Sequence, residues 1–277
     1  MQPASPDPTL YMMPVAQAAK TDPSPLPATV EAVVFDLDDT LCAYWDAAKA
    51  GILEAFALHG PAGRTPEAWV AVWGEAFHEF CPNLKQTDWY VRYLKSGATT
   101  RTELMRRALA RGGVQDEAVA QALSAAYAER RNAHLRLFDD ALAVLRALKK
   151  GHKLALMTNG PADVQRQEIE TLGIGGFFDA FFIEGEFGEG KPSPRVFKSA
   201  EEALETSPER MLFVGNSYKH DIEPALAMGW SAAWIQRPSD VAPSSKTGLP
   251  EAKPEGRPEP TVRLNHLSEL LPMLGLA

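Results

Sequence analysis

The chain has 277 residues, 45% of them apolar, enough for one sizeable core or for a core and a smaller unit. Its formal net charge of −8 repels polyanions, so nucleic acid is not an expected partner. Two cysteines without metal-ligand spacing, Cys42 and Cys81, exclude a disulfide framework or a zinc site, and the lack of a signal-like N-terminus or an apolar run of about 18 residues excludes a membrane anchor; a soluble, cytoplasmic protein is expected.

Residues 1–28 carry prolines at positions 3, 6, 8, 14, 23, 25 and 27, which forbid helix and ladder pairing, and they read as an extended tail. Glu31–Phe35 is a short β-branched run that predicts a buried strand. From Trp45 to about Phe138 the pattern is helical throughout, with glycine stops at Gly60 and Gly112-Gly113. Helix and strand then alternate. Ala141–Lys149 is a helix, and Lys153–Met157 a strand. Pro161 opens a helix that Gly173 ends. Phe181–Ile183, Met211–Val214, Ala232–Ile235 and Thr261–Leu264 are further strands, and Ser193-Pro194 caps a helix. A second Pro-rich stretch, 237–260, reads as a long surface loop. Strands alternating with helices predict an α/β fold, a doubly wound parallel sheet whose ligands bind beyond the strand carboxyl ends.

The polar residues at those ends are therefore the ones to inspect. The first strand runs into Asp36-Leu-Asp38-Asp-Thr40, three carboxylates within four positions. Two like charges about 4 Å apart repel by about 4 kcal/mol at an effective dielectric of about 20. A helix N-terminus offsets only about 0.3–1 kcal/mol, whereas a divalent cation offsets more, and hard oxygen ligands favour Mg²⁺. Helix capping is the plain alternative. The second strand ends in Thr158-Asn159-Gly160, a phosphate cradle or an ordinary N-cap. Lys191 lies in a Gly-Lys-Pro loop, where it is a solvated charge or a partner for a phosphoryl group. The strand at Met211–Val214 ends in Gly215-Asn216, with Asp221 five residues on.

Each piece is weak alone, but their order along the chain is informative. Asp36-x-Asp38-x-Thr40, Thr158, Lys191 and Gly215-Asn216-x4-Asp221 resemble the four motifs of the haloacid dehalogenase superfamily, over roughly residues 32–235. The helical section 45–137 is similar to that family's α-helical cap, and 29–44 with 138–277 to its Rossmann-like core. Leu156–Gly160, with Gln167 and Gly190–Pro192 beyond it, resembles the branch that includes N-acylneuraminate-9-phosphatases and nucleotidases.

The resemblance implies a Mg²⁺-dependent phosphatase acting on a small phosphorylated metabolite. It makes Asp36 the nucleophile that forms a phosphoaspartate and Asp38 the acid and base. Asp36, Asp38, Asp221 and Asn216 would hold the metal, while Thr158, Asn159 and Lys191 would hold the phosphate. Asn216 departs from the Asp common in the family and bears on metal affinity. Asp39 reads as a turn residue. A phosphomutase would keep the same motifs. A 2-haloacid dehalogenase would leave Asp38 and Asp221 unexplained. A signalling receiver is far shorter, and a catalytically silent binder would not need Asp36 and Asp38. The aromatic residues of the helical section read mainly as core.

Overall fold

The computed structural model describes residues 26, 27, 29–242, 245 and 247–276. Six strands form one parallel sheet: β1 (Ala32–Phe35), β2 (Lys153–Thr158), β3 (Ala180–Ile183), β4 (Met211–Gly215), β5 (Ser231–Ile235) and β6 (Val262–Leu264). Their order is β3-β2-β1-β4-β5-β6. β1 thus lies between β2 and β4, where the strand order reverses, and a doubly wound sheet opens its crevice there.

The strand sequences explain why both faces are covered. Val33 and Phe35 of β1 join one buried cluster, and Ala32 and Val34 join the other. A run that is apolar at every position serves a sheet buried on two sides. Burying a Phe such as Phe35, which is fully enclosed, stabilises by about 1.5–3 kcal/mol. The first cluster takes side chains from α6 (Ala141–Leu148) and α7 (Ala162–Leu172). The second takes them from α9 (Pro194–Leu204). Between α7 and α9 sits the short α8 (Glu184–Phe187).

The section after β1 is helical as expected: α1 (Tyr44–His59), α2 (Pro66–Phe80), α3 (Trp89–Lys95), α4 (Gly97–Arg111) and α5 (Glu117–His134). Thr65 caps α2 by accepting from the Ala68 N–H, and Asp116 caps α5 by accepting from the Val119 N–H. These helices have a buried cluster of their own, built around Trp69, Trp73, Met105 and Tyr127. Phe56 and Trp69 of that cluster are core, as their spacing predicts, while Trp73, Phe80 and Tyr127 also line a cavity.

Three local expectations change. Most of 1–28 lies outside the described residues, but Leu26 is buried in the first sheet cluster and is no tail residue. The helix expected after β4 is broken into a π-helical turn, Tyr218–Ile222, and α10 (Glu223–Ala227). Pro224 has no N–H to continue the ladder, which accounts for the break. The stretch 237–260 is not only surface: Arg237 is buried and its guanidinium donates to both carboxylate oxygens of Asp140, at 2.8 and 3.1 Å. The chain closes with α11 (Leu270–Met273).

Candidate active site

The carboxyl ends of β1 and β4 and the loop before α9 meet in a cavity of about 290 Å³. Asp36, Asp38, Asn159, Lys191, Asn216 and Asp221 all line it, so six of the seven expected site residues converge. Asp36 follows β1 directly, its N–H bonded to the Val214 carbonyl of β4. Asp39 takes a left-handed conformation, φ 57°, and accepts from the Trp45 N–H, a turn residue at the entry to α1.

The centre of the cavity is an ammonium between two carboxylates. Lys191 Nζ lies 2.6 Å from Asp36 Oδ1 and 2.7 Å from Asp221 Oδ1, and all three side chains are buried. Asn159 sets the lysine by bracketing its backbone: Asn159 Oδ1 accepts from the Lys191 N–H, and Nδ2 donates to the Lys191 carbonyl, both at 2.8 Å. Thr40 donates to Asp36 Oδ2 at 3.0 Å. Asp221 Oδ2 accepts from the Ser217 N–H at 2.9 Å. A Cβ on Gly215 would stand 2.4 Å from that same oxygen, so the glycine is what lets the carboxylate fold back under β4.

Burial pushes Asp36 up to about 6, against the pull of Lys191 and with the push of Asp221. Asp38 is held well above the ordinary carboxylate range. Burial is the main cause, followed by the charges of Glu168, Asp36 and Asp39, with Arg131 opposing. Asp38 thus holds a proton more tightly than a free carboxyl does. Gln165 Nε2 donates to Asp38 Oδ2 at 3.3 Å and to Glu168 Oε2 at 2.9 Å.

Thr158 is the expected residue that does not line the cavity. It is buried, and its hydroxyl donates to Gln165 Oε1 at 2.6 Å. Sequence reasoning also missed Gln165, Glu168 and Arg131, which form a buried chain behind Asp38 (the Arg131–Glu168 pair is 3.2 Å long). One turn of helix separates Gln165 from Glu168, so their shared face was readable, whereas Arg131 arrives from α5. Gln167 is exposed. Asp240 and Glu251, from the Pro-rich stretch, were missed as well. Asp240 accepts from Asn216 Nδ2 at 2.8 Å, and Glu251 accepts from the Tyr218 N–H at 2.9 Å.

Among the described residues no three His, Cys, Asp or Glu side chains are gathered closely enough to hold a metal ion. The donor set still fits Mg²⁺. Asp36, Asp221 and the Asn216 amide oxygen are hard oxygen donors, and the ammonium held by both carboxylates marks a point that attracts a cation.

Residues 30–229 match the model of the haloacid dehalogenase-like hydrolases. The chain belongs to that family and is an enzyme of it. Within the family it groups with the phosphatases. It is 30% identical to the N-acylneuraminate-9-phosphatase of Mus musculus, over 80% of this chain and 88% of that protein. It is 33% identical to the phosphoserine phosphatase of Thermus thermophilus, over 61% of this chain and 63% of that one. The fold matches that of the magnesium-bound HAD-hydrolase YfnB from Bacillus subtilis, with a TM-score of 0.69 and 19% identity, covering 90% of this chain and all of that one. No helix among the described residues is long and apolar enough to cross a membrane.

Proposed function

We propose that this phosphatase hydrolyses a small phosphate monoester through a phosphoaspartyl intermediate on Asp36, with Mg²⁺ as cofactor. The observation that carries the reading is the ammonium of Lys191 clasped by Asp36 and Asp221, with the Asp38 carboxyl lining the same cavity. Phosphate monoesters react extremely slowly in water, and two displacement steps lower the barrier that one would face.

In the first step an Asp36 oxygen forms a bond to phosphorus as the bond to the ester oxygen breaks. Asp38 gives its proton to the leaving alcohol. In the second step Asp38 takes a proton from water, the water oxygen attacks phosphorus, and inorganic phosphate leaves with Asp36 restored. Lys191 balances negative charge on the phosphoryl oxygens. The Asn159 backbone holds a phosphoryl oxygen, and Thr158 offers its hydroxyl when it turns from Gln165. Asp36, Asp221, Asn216 and the Asp38 backbone carbonyl would hold Mg²⁺. When bound, the metal supplies positive charge that lessens repulsion between Asp36 and the phosphoryl group. The helical section 45–137 acts as the cap over this core, 29–44 with 138–277. The free thiols of Cys42 and Cys81 suit a reducing cytoplasm.

A 2-haloacid dehalogenase needs no general acid and would leave Asp38 and Asp221 without a role. A phosphomutase would return the phosphoryl group to an alcohol instead of water. Phosphate release from a generic aryl phosphate, with Mg²⁺ and again with excess chelator, tests the reading. Release with the metal and loss without it are expected. Undiminished release in chelator, or halide release from a haloacid, contradicts the reading.

A further inference from the structure

A second cavity, of about 150 Å³, lies between the helical section and the sheet. Tyr44 and Asn159 line both cavities, so the second adjoins the one that holds Asp36. Its walls are mostly apolar, with Trp73, Phe77, Phe80 and Leu104 on one side, and no Asp or Glu is among the described lining residues. Arg101 and Arg131 both line it.

The two arginines are not equivalent. Arg131 is paired with the Glu168 carboxyl at 3.2 Å and donates to Asn132. Arg101 has only neutral partners: its Nε donates to the Ser124 carbonyl at 3.0 Å and to the Ser124 hydroxyl at 3.3 Å. Among the described residues no carboxylate pairs with it. Burial, and then the nearby charge of Arg131, pull its pKa below the ordinary value. A guanidinium keeps its proton in proteins, so a mostly apolar cavity here holds a cation with no directly paired counter-charge among the described residues, only the pull of Asp163 from beyond ion-pair distance.

Resting on the phosphatase reading, we propose that this cavity receives the leaving alcohol of the substrate and that the alcohol carries a carboxylate bound by Arg101. A cavity of this volume takes about one benzene-sized group, so the alcohol is a small hydroxy acid with a short apolar body. One uncompensated guanidinium matches a monoanion. A second phosphoryl dianion would keep a charge unpaired against apolar walls. Arg101 is then a specificity-determining residue, because its planar fork meets both carboxylate oxygens.

The test compares propyl phosphate with 3-(phosphonooxy)propanoate on the full chain with Mg²⁺. The acid should be preferred by about tenfold or more in kcat/KM, carried mainly by KM, as one charge-assisted pair would give. Arg101→Gln should bring the ratio close to one, and Arg101→Lys should keep part of it. A wild-type ratio of one or below overturns the inference, as does an undiminished ratio in either variant. Faster turnover of propane-1,3-diyl bisphosphate than of the acid overturns it too, in favour of a second phosphate. Should Arg101→Gln misfold through its lost grip on Ser124, the wild-type ratio and the lysine variant decide. An aryl phosphate run alongside separates the failures. If it is hydrolysed while the ratio is one, only this inference falls. If no ester releases phosphate, the phosphatase reading falls and takes this one with it.

Discussion

The two adjoining cavities are built by opposite means. The first is polar and formed at strand ends, where Asp36, Asn216 and Asn159 each leave the sheet within one or two residues of a buried run. The second is mostly apolar and gathered from α1 to α5, the start of α7 and the loop 159–161 before it. In the first, backbone register sets the side chains, and Lys191 offsets part of the carboxylate charge inside the cavity. In the second, helix packing sets the side chains, and Arg101 is left with neutral partners. The first site is thus set mainly by the sheet and the second mainly by the helical section, which reaches the first through Tyr44, Trp45 and Arg131.

After loss of the nucleophile itself, breaking the acid in the first cavity should have the largest effect. Asp38→Asn removes the proton donor and should slow turnover by about 10²–10⁴, most for esters of alkyl alcohols and least for aryl phosphates, whose leaving groups need no proton. Rates for both ester types measured against wild type check this. Equal losses for the two would remove Asp38 from the acid role.

The chain behind Asp38 joins the two regions and should be felt in stability. Burial pushes Glu168 up to about 7 from an ordinary value of 4.5, against the opposing pull of Arg131. Its folded form binds a proton more tightly than its unfolded form does. Stability from this group is therefore full below pH 4.5 and lost as pH rises toward 7, by about 3 kcal/mol at most. Denaturant midpoints across that window should fall less steeply in Glu168→Gln than in wild type, whatever the absolute stability of the variant. Parallel slopes would mean that Glu168 does not titrate there.

The smallest expected effect sharpens the first cavity alone. Asn216→Asp adds a unit charge near the proposed metal position, but Asp240 already touches that side chain. The gain in Mg²⁺ affinity should be about tenfold at most, near 1.4 kcal/mol, and Asp221→Ala should weaken binding by more. Titrating activity against Mg²⁺ reads both. Unchanged half-saturation in both variants would place the metal elsewhere.

How much was legible follows the same division. The sheet was readable almost strand by strand, because a buried parallel strand is a continuous apolar run with no competing interpretation, as Ala32–Phe35 and Met211–Gly215 illustrate. Asp36, Asp38 and Asp221 were readable because they follow such runs closely, whereas Lys191, separated from β3 by α8, was readable only from the order of the four motifs. Asp240, Glu251 and Arg131 were not, since they reach the site from a Pro-rich stretch and a distant helix, and nothing local marks them. Leu26 escaped for a related reason: a single buried leucine among prolines has no period to reveal it. Thr158 was readable as a strand-end hydroxyl, but its bond to Gln165 depends on a helix face that only packing defines.

The central claim is the covalent step on Asp36, and one measurement addresses it directly. Enzyme quenched in acid during turnover of an aryl phosphate with Mg²⁺ is digested, and the peptide containing Asp36 is weighed by mass spectrometry. The account predicts a mass gain of one phosphoryl group on Asp36, and neither that gain nor phosphate release in Asp36→Asn. Steady turnover with the phosphoryl group found on another residue, or undiminished release by Asp36→Asn, would contradict it.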